Sequence, residues 1–260
     1  MSEKARAVRA LLRKDYGAFA RRVFSTVSRG EALSRDPYIE FMFQTALNIY
    51  TRRNKRTVFN VAPRHAKTLG FVVPLILWWL AHSPATQIMI LSFREGLAEQ
   101  IVNYVREVLT ADWFEEAFPN ARIKVGHNRS DDFGTTAGGR VFAHHLGPGI
   151  TGEGADLIVV DDANDITDAA KPRALETNNN VFDDVVLNRL NHPREGCIVI
   201  VGHRVAANDL SGHAVAEPGW THVYLPFIAE RDETYVGLNG KLWHRRRASF
   251  SNPPSFPKRM

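Results

Sequence analysis

Cysteine is nearly absent from this chain of 260 residues, which contains only Cys197. A single thiol forms no internal disulfide and supports no cysteine-rich metal site, as is typical of proteins from a reducing compartment. Because Cys197 lies in the apolar run CIVIV, we interpret it as a buried strand residue. A catalytic thiol is the alternative interpretation.

Long hydrophobic runs are also missing. The longest apolar stretch, residues 69–81, is shorter than the roughly 18 residues that a membrane span requires, and it contains Pro74. We interpret this stretch as a buried helix. The N-terminus is charged from Glu3 onward and lacks the apolar core of a secretion signal. The sequence therefore predicts a soluble globular protein without a membrane partner.

The net charge of +5 is concentrated at the two ends of the chain. Residues 1–35 carry nine Lys or Arg against three acids, and residues 245–260 carry five against none. Basic termini of this kind can contact DNA phosphates. A solvated helix face and a basic tail explain the same charges equally well.

Apolar strand patterns alternate with helical patterns along the middle of the chain, which predicts an α/β fold with a mostly parallel central sheet flanked by helices. The predicted strands are residues 57–62, 86–93, 156–162, 197–203 and 221–227, with short β segments in 132–146. The predicted helices are residues 3–35, 38–50, 67–82, 95–109, 172–190 and 209–216. The predicted organisation is a basic helical segment (1–35), a central domain (36–230) and a C-terminal tail or linker (231–260).

The first chemically loaded strand end is NVAPRHAKTL, residues 60–69. It resembles the phosphate loop G-x-x-x-x-G-K-[ST], except that Val61 and Ala66 replace the two glycines. A basic turn that happens to contain Lys-Thr is the alternative interpretation. Lys67 would reach the β- and γ-phosphates, and the Thr68 hydroxyl would bind Mg²⁺. Ala66 adds a methyl group close to the phosphates, and we expect the loop to tolerate it only if its φ is negative.

The second loaded strand end is LIVVDD, residues 157–162. Four apolar residues bury a strand that delivers Asp161 and Asp162 to its end, where ligands of parallel sheets collect. Asp161 would hold Mg²⁺, and Asp162 would orient and deprotonate an attacking water. Two solvated acids before a turn are the plainer alternative.

These motifs resemble the ATPase domain of the large terminase subunit of tailed bacteriophages, the motor that packages DNA into procapsids. The resemblance covers roughly residues 36–230 and implies a P-loop NTPase of the ASCE (RecA-like) type. It rests on five segments in order: VAPRHAKT (61–68), SFREGLA (92–98), GITGEGADLIVVDDAND (149–165), VGHRVAANDLSG (201–212) and WTHVYLPFIAE (220–230).

The resemblance also implies a role for each matching residue. The backbone amides of His65, Ala66 and Lys67 would bind the β-phosphate of ATP. Thr68 and Asp161 would hold Mg²⁺, and Asp162 would be the catalytic carboxylate, in place of the more usual glutamate.

Further roles follow from the same resemblance. Arg64 would contact the γ-phosphate as a sensor or a cis finger, with a surface arginine covering the loop as the alternative. Arg140 is a candidate for a finger inserted into a neighbouring subunit. His203, with Arg204, occupies the coupling motif, where many relatives have Ser or Thr. His144 and His145 are interpreted as structural rather than metal-binding.

The implied function is ATP-driven translocation of double-stranded DNA. The implied partners are DNA, the portal protein, the small terminase subunit and further copies in a ring, expected to be a pentamer, with a monomer possible in isolation. The implied location is the host cytoplasm, at the procapsid portal. Because the chain ends before the acidic cluster of a nuclease domain, we expect no nuclease activity. The alternatives are a helicase-like P-loop ATPase and a nucleotide-binding assembly module that does not hydrolyse ATP.

Overall fold

The computed structural model describes residues 3–147, 149–150 and 152–251. The chain also contains short 3₁₀ turns and one π-helical segment, Lys67–Val72. The helices are α1 (Glu3–Lys14), α2 (Tyr16–Val27), α3 (Pro37–Tyr50), α4 (Val73–His82), α5 (Glu95–Leu109), α6 (Asp112–Ala117), α7 (Pro172–Asp184) and α8 (Leu210–Ala216).

An eight-stranded sheet runs through the described part of the chain in the order β3-β4-β5-β2-β6-β7-β1-β8, and β9 and β10 form a separate hairpin. In this sheet order, every pair of neighbouring strands between β5 and β8 is parallel. Strands β3 and β4 pair in antiparallel fashion and form one edge of the sheet. The strands are β1 (Arg56–Val61), β2 (Gln87–Ser92), β3 (Ile123–Asn128), β4 (Asp132–Thr135), β5 (Arg140–His145), β6 (Leu157–Asp161), β7 (Cys197–Gly202), β8 (Thr221–Leu225), β9 (Glu233–Val236) and β10 (Leu242–Arg245).

The parallel strands are buried on both faces, which explains their continuous apolar sequences. In β6, for example, Val159 belongs to the larger core beneath α2 to α5, whereas Val160 belongs to a second core beneath α7 and α8. Cys197 is fully buried in β7, as predicted for a strand cysteine, and burial raises the pKa of its thiol to about 11. A neutral buried thiol is a poor nucleophile, so this cysteine serves packing.

Helices α1 and α2 separate at Asp15, whose side chain accepts a hydrogen bond from the backbone of Ala18 at 2.8 Å and caps α2. Phe19 of α2 is fully buried, and its ring lies 5.0 Å from that of Trp78 in α4. Residues 16–27 therefore contribute to the main core, which the interpretation of residues 1–35 as a solvated basic face did not include.

Residues 231–251 differ from the predicted tail or linker. Strands β9 and β10 pair in antiparallel register, and Tyr235 of β9 packs its ring 4.6 Å from Phe41 of α3. Residues 252–260 of the predicted tail lie outside the described residues, as do positions 148 and 151 of the predicted glycine-rich loop.

Four helix predictions need adjustment. The predicted helix 3–35 is the two helices α1 and α2, the second of which ends at Val27. The predicted helix 67–82 begins as a π-helix, Lys67–Val72, before α4. The predicted helix 172–190 ends at Asp184 and continues as a 3₁₀ turn, Val186–Arg189. Residue 209 is the cap of α8 rather than its first helical residue. None of the described helices is long and apolar enough to cross a membrane.

Candidate active site at the carboxyl ends of β1 and β6

The predicted phosphate loop connects β1 to the π-helical segment, and two of its residues adopt left-handed backbone conformations. Arg64 has a φ of 65° and Ala66 a φ of 55°. The expectation that Ala66 requires a negative φ is therefore wrong for this fold. The loop keeps the left-handed turn that glycine normally provides, at a cost of about 1–2 kcal/mol for a residue with a Cβ atom.

Ala66→Gly is expected to raise the free energy of unfolding by about 0.5–1 kcal/mol, because glycine adopts this φ without strain. Chemical denaturation of the two proteins measures the change. Ala174→Gly, within α7, is the matched control and should lower stability by about 1 kcal/mol. A loss of stability at position 66 would show that the Cβ of Ala66, which packs near Gly70, contributes more than the strain costs.

The backbone of this loop is available to an anion. No described residue accepts a hydrogen bond from the backbone N–H groups of His65, Ala66 or Lys67. These groups precede and open a helix that continues to His82, so the positive end of its dipole faces the same point. Free amides at such a position are suited to phosphate oxygens.

The side chains of both strand ends meet beside this loop. Lys67 Nζ lies 3.5 Å from Asp161 Oδ1 and forms a shorter ion pair with Asp162 Oδ2. The Thr68 hydroxyl donates to Asp161 Oδ2 at 2.8 Å. The structure thus brings together the four side chains that the sequence placed on two separate strands, with β7 between them.

The charges of this cluster depend on one another. Burial raises the pKa of the Asp161 carboxyl, while the neighbouring ammonium of Lys67 opposes that effect. Burial alone would lower the pKa of Lys67, but the charges and hydrogen bonds of Asp161 and Asp162 outweigh it and raise that pKa. Lys67 is therefore a firmly protonated ammonium held between two carboxylates.

Asp162 is fixed by its backbone as well as by its charge. Its φ is 49°, a left-handed value that aspartate tolerates better than most residues. Its carbonyl oxygen accepts hydrogen bonds from the Phe93 amide at 3.0 Å and the Ser92 hydroxyl at 3.3 Å, both just beyond or at the end of β2. This turn directs the carboxylate away from the strand and towards Lys67.

His203 and Arg204 follow β7, the strand between β1 and β6. His203 Nδ1 lies 3.4 Å from Asp162 Oδ1, so the imidazole contacts the carboxylate opposite Lys67. Arg204 Nε instead donates to Asp209 at 2.9 Å, and its terminal nitrogen donates to the carbonyl of Ala206. His203 is thus part of the cluster, whereas Arg204 organises the loop that leads to α8.

A buried polar network beneath the loop was not identified from the sequence. Asn60 is 1% exposed; its amide donates to Ser211 at 2.9 Å, and its carbonyl oxygen lies 2.9 Å from His222 Nε2. Burial, with the nearby charge of Arg204, lowers the pKa of His222, which favours the neutral ring. These residues join β1, β8 and α8 directly below the loop. In the sequence, only the position of Asn60 just before the loop could have indicated this network.

The two candidate arginine fingers have different surroundings. Arg64 is exposed, and no described residue accepts a hydrogen bond from its guanidinium. Arg140 pairs with both oxygens of Asp132 at 2.8 Å and with Glu153 at 2.7 Å. It also lies at the amino end of β5, about 16 Å along the strand from the edge that carries the cluster.

The two histidines at the end of β5, His144 and His145, have no metal-site arrangement with the other described residues. His144 Nε2 lies 2.6 Å from Glu153, and His145 is exposed. Among the described residues, no group of three or more His, Cys, Asp or Glu is placed to hold a metal ion. The oxygen donors best suited to Mg²⁺ are Asp161 and Thr68, because that ion is usually bound by one or two carboxylates together with substrate phosphates.

A cavity of about 160 Å³ opens beside this cluster. Thr68, Ser92, Asp161 and Asp162 line it together with residues of α5, which are Leu97, Gln100, Ile101 and Tyr104. Asp161 and Asp162 therefore border a space that has room for several water molecules.

Comparison with known proteins agrees with this architecture. The crystal structure of the HK97 bacteriophage large terminase matches with a TM-score of 0.55 and 18% identity, over 82% of this chain and 43% of that one. This chain therefore spans less than half of that protein's length. The Thermus phage P74-26 large terminase ATPase domain matches with TM-scores of 0.42 (an arginine-to-alanine mutant; 15% identity, 71% of this chain and 80% of that one) and 0.40 (17%, 60% and 62%).

No family model and no curated protein matches the sequence. The structural match confirms the predicted fold class, a P-loop NTPase fold with a mostly parallel sheet flanked by helices. At 18% identity it shows the fold alone. The terminase resemblance inferred from the five sequence segments is consistent with it.

Proposed function

We propose that this chain is the ATP-hydrolysing motor domain of a DNA-packaging terminase. The observation that carries the proposal is the convergence of free loop amides, Lys67, Thr68, Asp161 and Asp162 at one edge of a P-loop NTPase fold. Each group meets one requirement of phosphoryl transfer from a nucleoside triphosphate to water.

Hydrolysis would proceed by in-line attack of water on the γ-phosphate. Lys67 would exchange the carboxylate of Asp162 for phosphate oxygens, which releases Asp162 to orient and deprotonate the water. His203, 3.4 Å from Asp162, would then hold that carboxylate in place. Because His203 follows β7, the loss of the ion pair between Lys67 and Asp162 would also affect β7 and the loop before α8.

Two residues fit a magnesium ion. Thr68 and Asp161 already lie within hydrogen-bond distance of each other and offer a hydroxyl and a carboxylate oxygen. Mg²⁺ bound there would neutralise charge on the substrate phosphates.

Arg64 is our candidate for the charge that meets the γ-phosphate within one subunit. Arg64 is exposed, and it lies, with a positive φ, in the same loop that would bind the phosphates. Arg140 would have to leave two carboxylates to act on a neighbouring subunit, so we assign it to the stability of the β4–β5 edge.

The biological role follows as a further part of the proposal. A ring of these domains, expected to be a pentamer, would translocate double-stranded DNA at the portal of a procapsid in the host cytoplasm, together with the small terminase subunit. DNA contacts would be made mainly to phosphates, because a packaging motor must accept every sequence. Lys4, Arg6 and Lys14 of α1 are candidates, whereas Arg13 already donates to Ala117 of the same chain at 2.6 Å.

Steady-state ATP hydrolysis, with and without double-stranded DNA of two unrelated sequences, tests the proposal. We expect turnover by the wild-type chain, equal stimulation by both duplexes, and no turnover by Lys67→Ala. Stimulation by single-stranded DNA alone would favour a helicase-like ATPase. ATP binding without any hydrolysis, even in concentrated protein, would favour an assembly module, the alternative that the strained Ala66 supports.

A further inference from the structure

An exposed aromatic patch lies next to the phosphate loop and has no role in the site described above. It consists of Phe227, Ile228 and Phe250, which are 43%, 48% and 59% exposed. The rings of Phe227 and Phe250 lie 5.5 Å apart, and Ile228 bridges Phe250 in antiparallel register. Large apolar side chains grouped at the surface commonly mark a binding site.

The patch is attached to the loop through His65. That side chain is 1% exposed, and its Nε2 lies 2.9 Å from the Ser251 hydroxyl and 3.2 Å from the Ser251 carbonyl oxygen. Its ring also contacts Phe227 edge-on, with centroids 6.0 Å apart. The backbone amide of His65 belongs to the group left free for phosphate, so the patch and the phosphate-binding amides share one residue.

The position of the patch also suits one end of a nucleotide. The carboxylates that would face the γ-phosphate are on and after β6, whereas Phe227 lies two residues beyond the end of β8. Strands β6 and β8 are three strand spacings apart, about 14 Å, with β1 and its loop between them. A nucleotide with its last phosphate at Asp162 would extend across the loop and place its base on the β8 side.

We propose that Phe250, supported by Phe227, is the stacking surface for the base of the nucleotide bound by the loop. This inference rests on the proposed ATP site and adds the residues that bind the base. Stacking on a phenylalanine ring is open to every base, because each base presents an aromatic face. The patch would therefore strengthen binding of ATP and GTP alike, without choosing between them.

Titration calorimetry with ATP, GTP and inorganic tripolyphosphate, each with Mg²⁺, separates the base from the phosphates. Phe250→Ala should weaken ATP and GTP about tenfold and leave tripolyphosphate unchanged, and Phe250→Trp should restore both nucleotides. Leu242→Ala is the matched control, an exposed apolar residue of the same C-terminal segment that should change none of the three affinities.

Each other outcome has a definite meaning. Unchanged ATP affinity in Phe250→Ala, with binding still lost in Lys67→Ala, would overturn the base site and leave the ATP site intact. Equal weakening of all three ligands would assign the patch to support of the loop. A change in sedimentation without a change in affinity would make it a contact between protein chains. If the wild-type chain bound neither ATP nor tripolyphosphate, the proposed function would fall together with the base site.

Discussion

Asp162→Asn is expected to lower ATP turnover by about 10²–10⁴-fold without loss of ATP binding, because the amide keeps the shape of the side chain but cannot accept a proton from water. The backbone of Asp162 is anchored to the end of β2 through its carbonyl oxygen, so the backbone at this position should not move when the side-chain charge is removed. Single-turnover hydrolysis and equilibrium binding of ATP, measured on the same preparation, separate chemistry from affinity.

Two variants control this result. Asp183→Asn removes a carboxylate that pairs with His213 on the surface and should leave turnover unchanged. His203→Asn keeps the catalytic carboxylate but removes its imidazole contact, so a smaller loss of about tenfold is expected, as for a positioning residue. Equal turnover by Asp162→Asn and the wild-type chain would assign the general base elsewhere.

The residues of this site were predictable because they follow continuous apolar strands. Such strands are buried on both faces of a parallel sheet, and the carboxyl ends of parallel strands lie at one edge. Residues that follow these strands, here Lys67, Thr68, Asp161 and Asp162, are therefore expected at that same edge. The conformation of Ala66 was not predictable, because its positive φ is imposed by the surrounding fold and contradicts the residue's own preference.

The C-terminal hairpin is a second feature that the sequence does not predict. Its strands are four residues long, and in β9 only Tyr235 is buried, so no apolar run marks them in the sequence. The hairpin is held by contacts with α3, which lies far earlier in the chain. The network of Asn60, Ser211 and His222 likewise joins positions that only the folded sheet brings together.

Lys67→Met is expected to lower the free energy of unfolding by about 3 kcal/mol, since it leaves the carboxylates of Asp161 and Asp162 largely buried without their cation. Chemical denaturation without nucleotide measures this loss. Lys55→Met removes the more exposed pair with Glu195 and should cost less than about 1 kcal/mol.

Adding Asp162→Asn to Lys67→Met should recover part of the lost stability, because one uncompensated charge is removed with the cation. The same ion pair must break before Lys67 can contact a phosphate, so the free energy that it contributes without nucleotide opposes ATP binding. Asp162→Asn should for that reason bind ATP more tightly than the wild-type chain, even though it hydrolyses ATP far more slowly. If Lys67→Met were as stable as the wild type, the ion pair would contribute nothing, and this predicted gain in affinity would disappear with it.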